Sequence, residues 1–184
     1  MSLTKFIIST IVSIVFVDGF AIAQDKEPEV KTWEKTEYGV TFSLRQIPPD
    51  VVNAFYNGRG FAINQIEPYA QTCVYTVVLR NDSAPGRIHF LRNDWRVTSN
   101  NESNQIRTNS SWLKQFKQTN TKPSALIAFR LAQIPEEQEY EPSGDWNQGM
   151  LSTNLAIGSQ FDITINWDVD NEFYEFSIKE VKCI

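Results

Sequence analysis

The chain has 184 residues, with 17 Lys and Arg against 22 Asp and Glu, and a formal net charge of -5 at pH 7. An acidic chain without a cluster of Lys and Arg lacks the field that phosphate recognition needs, which argues against nucleic acid or an anionic membrane surface as a partner. One histidine and two cysteines leave no pair of imidazoles and no closely spaced thiols for a metal centre, so no cofactor is expected.

The N-terminal residues have the layout of a secretory signal peptide. Lys5 precedes an apolar run from Phe6 to Val17 that only Ser9, Thr10 and Ser13 interrupt, and Ala21 and Ala23 supply small residues for a peptidase. The run is too short to span a bilayer, which takes ~20 residues. Cleavage after Ala23 is therefore expected, with residues 1–23 as the leader and a periplasmic or secreted product that is not inserted in the membrane. Loss of Lys5 and Asp18 removes one charge of each sign, so the net charge stays at -5.

Residues 24–37 are charged and carry few aliphatic side chains, which predicts an extended arm ahead of one β-sandwich domain over 38–184. Val40, Phe42 and Leu44 alternate with Thr41 and Ser43, as a half-buried strand requires. After Pro48-Pro49, the apolar residues of Asp50–Tyr56 fall at helical offsets, and a second helical turn fits Asn64–Ala70, limited by Pro68. Thr72–Leu79 is β-branched or aromatic on both faces and reads as a central strand. A turn at Asn81–Gly86 leads back through Ile88–Leu91 and Trp95–Val97, and the polar stretch Thr98–Asn109 reads as a surface loop.

Ser110-Ser111 can cap an amphipathic turn carrying Trp112, Leu113 and Phe116. Ala125–Leu131 reads as a strand that Ile134-Pro135 ends, and Glu136–Asp145 as an acidic loop. A short strand is expected over Leu151–Ile157. Phe161, Ile163, Ile165 and Trp167 then share one face of a strand, a hairpin turn spans Asp168–Asn171, and Tyr174–Lys179 alternates again. The sum is a mainly β chain, and a single antiparallel β-sandwich of immunoglobulin-like character with short helical insertions is the economical fold. A partly closed barrel is the alternative. Cys73 and Cys183, both in the exported part, are expected to form one disulfide.

Catalytic patterns are missing from the sequence. It holds no H-E-x-x-H and no G-x-S-x-G, and Gly58-Arg59-Gly60 has neither the strand before it nor the long helix after it of a phosphate loop. His89 lies between Ile88 and Phe90 and reads as an ordinary strand histidine pointing away from them. The residues that remain suggest a surface: Trp112 and Trp146 near polar loops, with Glu137, Glu139, Tyr140, Asp145 and Asn147 in the acidic segment, make the candidate binding surface. Asp168, Asp170 and Glu172 are weak calcium candidates, because Asp is also a common turn former.

These features favour a non-enzymatic exported binding or accessory domain that docks on another extracytoplasmic protein. A carbohydrate-binding module using the loop tryptophans is the first alternative and requires both indoles exposed. A carboxylate hydrolase, with for instance Glu141 and Asp145, is the second and requires two acids facing across a cleft, roughly 5 to 9.5 Å apart.

Overall fold

A computed structural model describes residues 31–184, so the expected leader and the first half of the arm lie outside the described residues. Strand β1 (Thr32–Glu37) turns into β2 (Val40–Gln46), and helices α1 (Pro49–Asn57) and α2 (Ile63–Ala70) precede the long strand β3 (Thr72–Asn81). Next come β4 (Ile88–Leu91), a 3-10 turn at Arg92–Asp94, β5 (Arg96–Ser99), β6 (Glu102–Gln105), α3 (Asn109–Gln118) and α4 (Pro123–Ala132). The fold is completed by β7 (Glu137–Tyr140), β8 (Asp145–Ala156), β9 (Gln160–Val169) and β10 (Glu172–Lys182).

Two antiparallel sheets form, one in the order β1-β2-β3-β8 and the other in the order β6-β5-β9-β4-β7 with β10 on β9. Their inner faces supply one core. Val40, Phe42 and Leu44 of β2 and Tyr75, Val77 and Leu79 of β3 pack with Phe161, Ile163, Ile165 and Trp167 of β9. The alternation in these strands is what selects the buried set, since a one-residue slip would turn every one of these side chains away from the inter-sheet core. The immunoglobulin-like likeness does not follow from this arrangement, because the sheets have four and six strands and carry a helical layer besides.

That layer is a second core on the outer face of the first sheet. Tyr56, Phe61, Tyr69, Trp112, Phe116 and Phe129 from the helices gather around Val74 of β3, with Met150 of β8 packed against them. The rings meet edge to face, as in Phe116 against Phe129 with centroids 4.8 Å apart and Tyr69 against Trp112 at 5.1 Å. Tyr69 Oη donates to Gln133 Oε1, and Gln133 Nε2 donates to Tyr56 Oη, so these three side chains satisfy one another inside the layer, whereas the buried Trp112 Nε1 has no partner. Burial pushes both phenols well above the usual tyrosine range.

Three hairpins use two-residue turns in which both residues have positive φ: Tyr38-Gly39, Asn100-Asn101 and Asp170-Asn171. Gly39 has a second reason to lack a side chain, since an added Cβ would come within 2.4 Å of the Ala84 nitrogen. In β10 the register shifts between Ile178 and Val181, with Glu180 at φ 54. This bulge changes the parity of the strand, so that buried positions run Phe176 and Ile178 before it and Val181 and Cys183 after it. Asp162 pins the bulge by accepting from the Glu180 backbone N–H at 2.9 Å and from Lys179 Nζ at 2.9 Å. Cys183 thereby reaches Cys73, and the two form the expected disulfide with Cα atoms 5.6 Å apart.

Five features differ from their sequence expectation. Ala125–Leu131, expected as a strand, belongs to helix α4, which Pro123 opens and which buries Ala125 and Phe129, four residues apart. The polar stretch Thr98–Asn109 holds the β5–β6 hairpin, and the acidic segment forms β7. Thr32–Glu37, placed within the arm, is an edge strand in register with β2, with Trp33 buried. The cap of α3 is Thr108, whose Oγ1 accepts from the Ser111 N–H, rather than the serine pair.

Candidate functional site

Strands β7 and β8 follow one another around the turn at 141–144, and each is the outermost strand of its sheet. Glu137, Glu139, Asp145, Trp146 and Asn147 therefore lie along two neighbouring edges on one side of the sandwich. The Glu141 backbone N–H donates to Asp145 Oδ2 at 3.1 Å and joins the two edges. Trp146 leaves 54% of its surface in water, and Asp145 and Gln148 are also exposed. Trp112 and Tyr140, read as parts of this surface, are each 2% exposed: Trp112 packs in the helical core and Tyr140 points into the sandwich, so neither presents a binding group.

On the outer face of the second sheet, His89 sits between two carboxylates. Its Nε2 meets Glu137 Oε1 and its Nδ1 meets Asp168 Oδ1, each at 3.0 Å. Two acceptors suit an imidazole with both nitrogens protonated, and they hold its pKa above the ordinary histidine value, Glu137 contributing first and Asp168 next. The histidine thus points away from Ile88 and Phe90 as alternation requires, but it ties β7 to β9 across β4. Arg87 bonds Glu139 at 3.0 Å and lies 3.9 Å from Glu141. Asp168 is thereby committed to His89, and among the described residues no three His, Cys, Asp or Glu side chains are grouped to hold a metal ion, so Asp168, Asp170 and Glu172 form no calcium cluster.

A groove of about 470 Å³ opens beside β8, lined by Asn109, Leu113, Arg130, Leu131, Gln133, Ile134, Pro135, Glu136, Asn147 and Gln148 among others. Its wall is fixed by Arg92, which is 1% exposed and donates to Asn109 Oδ1 at 3.0 Å, the Ile134 carbonyl at 3.2 Å and Glu136 Oε1 at 2.9 Å. Burial lowers the pKa of this guanidinium against the opposing pull of Glu136. Glu136 is the one carboxylate among the lining residues, and it is engaged, so the groove holds no facing pair of acids.

Sequence reasoning did not find Arg92 or the groove. The run Arg92-Asn93-Asp94 looks like any polar turn, and the groove depends on where α4 ends, a segment whose pattern pointed to a strand. Comparison with family models, with curated proteins and with solved structures found no significant match.

Proposed function

We propose that this chain is an exported accessory domain that docks on another extracytoplasmic protein through the β7–β8 side of the sandwich. The observation that carries the reading is Trp146, a large aromatic side chain left more than half in water on a sheet edge, paired with Arg80 of β3 and adjoining the Asn147 and Gln148 wall of a groove. Tryptophan is the residue type most enriched among the anchors of protein interfaces, and an exposed indole beside a groove fits that use. The disulfide suits an oxidising compartment. No helix among the described residues is long and apolar enough to cross a membrane.

The carbohydrate reading keeps one favourable feature, a single exposed indole flanked by Asp145 and Asn147, although burial of Trp112 removes the second stacking ring it required. The hydrolase reading is not supported by a groove with one engaged carboxylate. Affinity capture from the host's extracytoplasmic fraction, with Trp146→Ala as the control, tests the proposal. A specific protein held by the wild type and lost with Trp146→Ala is the expected result. Equal capture by both removes Trp146 from the interface and the reading with it, and specific retention of an oligosaccharide column instead would favour the carbohydrate alternative.

A further inference from the structure

The outward-facing backbone of β8 can be assigned residue by residue. The Met150 carbonyl accepts from the Ile134 N–H at 3.0 Å, on the side of β8 away from β3, in a parallel bridge between Gln133 and Met150. Backbone groups along a strand alternate in direction, so Gln148 and Trp146 face the same outward side as Met150, whereas Gly149, Asn147 and Asp145 face β3. The short bonds at these positions agree: the Trp146 N–H donates to Asp145 Oδ1 at 3.0 Å and the Gln148 N–H to Asn147 Oδ1 at 2.7 Å. Each edge donor is occupied by the side chain immediately before it and by no neighbouring strand.

The chain itself thus starts a fifth strand on this sheet at Gln133-Ile134 and then leaves, since the preceding residues are helical and the following ones turn away to β7. The edge runs on without a neighbouring strand through Asp145–Gln148, and the groove lies against Asn147 and Gln148. Edge strands are usually blunted by proline, charged side chains, a bulge or a cover, and over these four residues the charge of Asp145 is the one such device present. The apolar part of the lining is Leu113, Ile134, Pro135 and Leu131, the last 74% exposed, set among polar side chains. Towards β7 the three carboxylates Asp145, Glu141 and Glu139 outnumber Arg87, which bonds Glu139 at 3.0 Å and lies 3.9 Å from Glu141, and Arg130 in the groove lining, so acids stay in excess.

We infer that the open edge of β8 takes an extended basic segment of the docking partner as an added strand, an inference that rests on reading this domain as a docking module. The partner's backbone displaces the Asp145 and Asn147 side chains from the Trp146 and Gln148 N–H groups. Alternate side chains of the added strand then face the apolar part of the lining and the carboxylates towards β7, which suits apolar residues alternating with lysine or arginine.

The probe is an acetylated, amidated octapeptide of alternating lysine and valine, titrated into the disulfide-bonded protein and followed by amide NMR shifts and calorimetry. The largest shifts are expected at the Trp146 and Gln148 amides. Methylating alternate peptide nitrogens so that the edge-facing ones cannot donate is expected to weaken binding at least tenfold, as is replacing lysine by glutamate. Gln148→Pro removes one outward donor and keeps the bonds to β3, because proline is tolerated where a strand's N–H faces away from the ladder. It should bind at least tenfold more weakly with its thermal midpoint kept. If that variant fails to fold, the methylated peptide tests the same contact on the unaltered protein.

Equal affinity for the methylated peptide, no binding of the unmethylated one, or shifts confined to other strands would overturn strand addition, and equal affinity for the glutamate peptide would overturn the basic partner. The docking proposal fails separately. A partner captured by Gln148→Pro as well as by the wild type, but lost with Trp146→Ala, leaves docking standing and removes the added strand.

Discussion

Gly149→Ala should be among the most damaging single-methyl additions in this fold. A Cβ at position 149 would lie 2.2 Å from the Ile134 nitrogen and 2.5 Å from both the Gln133 carbonyl carbon and the Ile134 Cα. All three neighbours are backbone, so no side chain can swing aside, and restoring ordinary carbon contacts of about 3.5 Å means a retreat of roughly 1 Å. That retreat pulls the Ile134 N–H off the Met150 carbonyl, now 3.0 Å away. Overpacking contributes about 1–3 kcal/mol and the lost buried hydrogen bond about 1 kcal/mol, for a total of about 2–4 kcal/mol. In urea the midpoint should fall with the slope unchanged, and the melting temperature should drop by roughly 4–16 °C for a domain near this size. Gly58→Ala is the matched control. Gly58 has φ -61 at the end of α1, and a Cβ there meets nothing closer than the Ala54 carbonyl oxygen at 3.5 Å. It should gain about 0.4–1 kcal/mol through the unfolded state. A Gly149→Ala protein within about 0.5 kcal/mol of wild type would refute the packing argument.

Replacing both Cys73 and Cys183 by alanine should cost about 2–5 kcal/mol, measured by urea unfolding against the unreduced parent. Trp112→Ala should cost about 3–5 kcal/mol through the helical core, whereas Trp146→Ala should stay within about 0.5 kcal/mol in the same assay. His89 gives a pH dependence whose sign is set by its raised pKa. Its contribution to stability is complete below the unfolded histidine pKa of ~6.5 and is lost as pH rises through the higher folded value. Melting temperatures across that window should decline for the wild type and lose this component in His89→Gln; a His89→Gln profile that tracks the wild type would show the two carboxylates do not hold the ring.

The parts of the fold visible in the sequence are those where one face decides. Phe161 to Trp167 alternate without exception, and the structure buries all four apolar residues on one side. Asp50–Tyr56 shows its helix in the offsets of its apolar residues, whereas at Asn64–Ala70 Pro68 is expected to limit a helical turn and α2 runs through it. Ala125–Leu131 reads as a strand and is a helix, because seven residues, nearly all apolar, satisfy either period. The helix is decided by Phe129, which is needed among Tyr56, Phe116 and Tyr69, and it leaves Ile127 and Leu131 in water at 52% and 74%. Cys183 was paired by compartment and count alone, and the bulge at Glu180 that turns it inward has no signature in the residues around it. Of the candidate surface, Trp146 and its acidic neighbours were within reach because they sit in a polar, turn-rich stretch. Trp112 was misplaced because a helix with polar flanks can still carry a buried indole, here stacked under the Arg107 guanidinium at 3.7 Å.

The unequal placement of the tryptophans makes the molecule its own optical reporter. Trp33, Trp95, Trp112 and Trp167 are at most 8% exposed, so a quencher dissolved in water collides with Trp146 almost alone. The red edge of the emission spectrum belongs to that one ring. Anything settling on the β8 edge would shield it from that quencher.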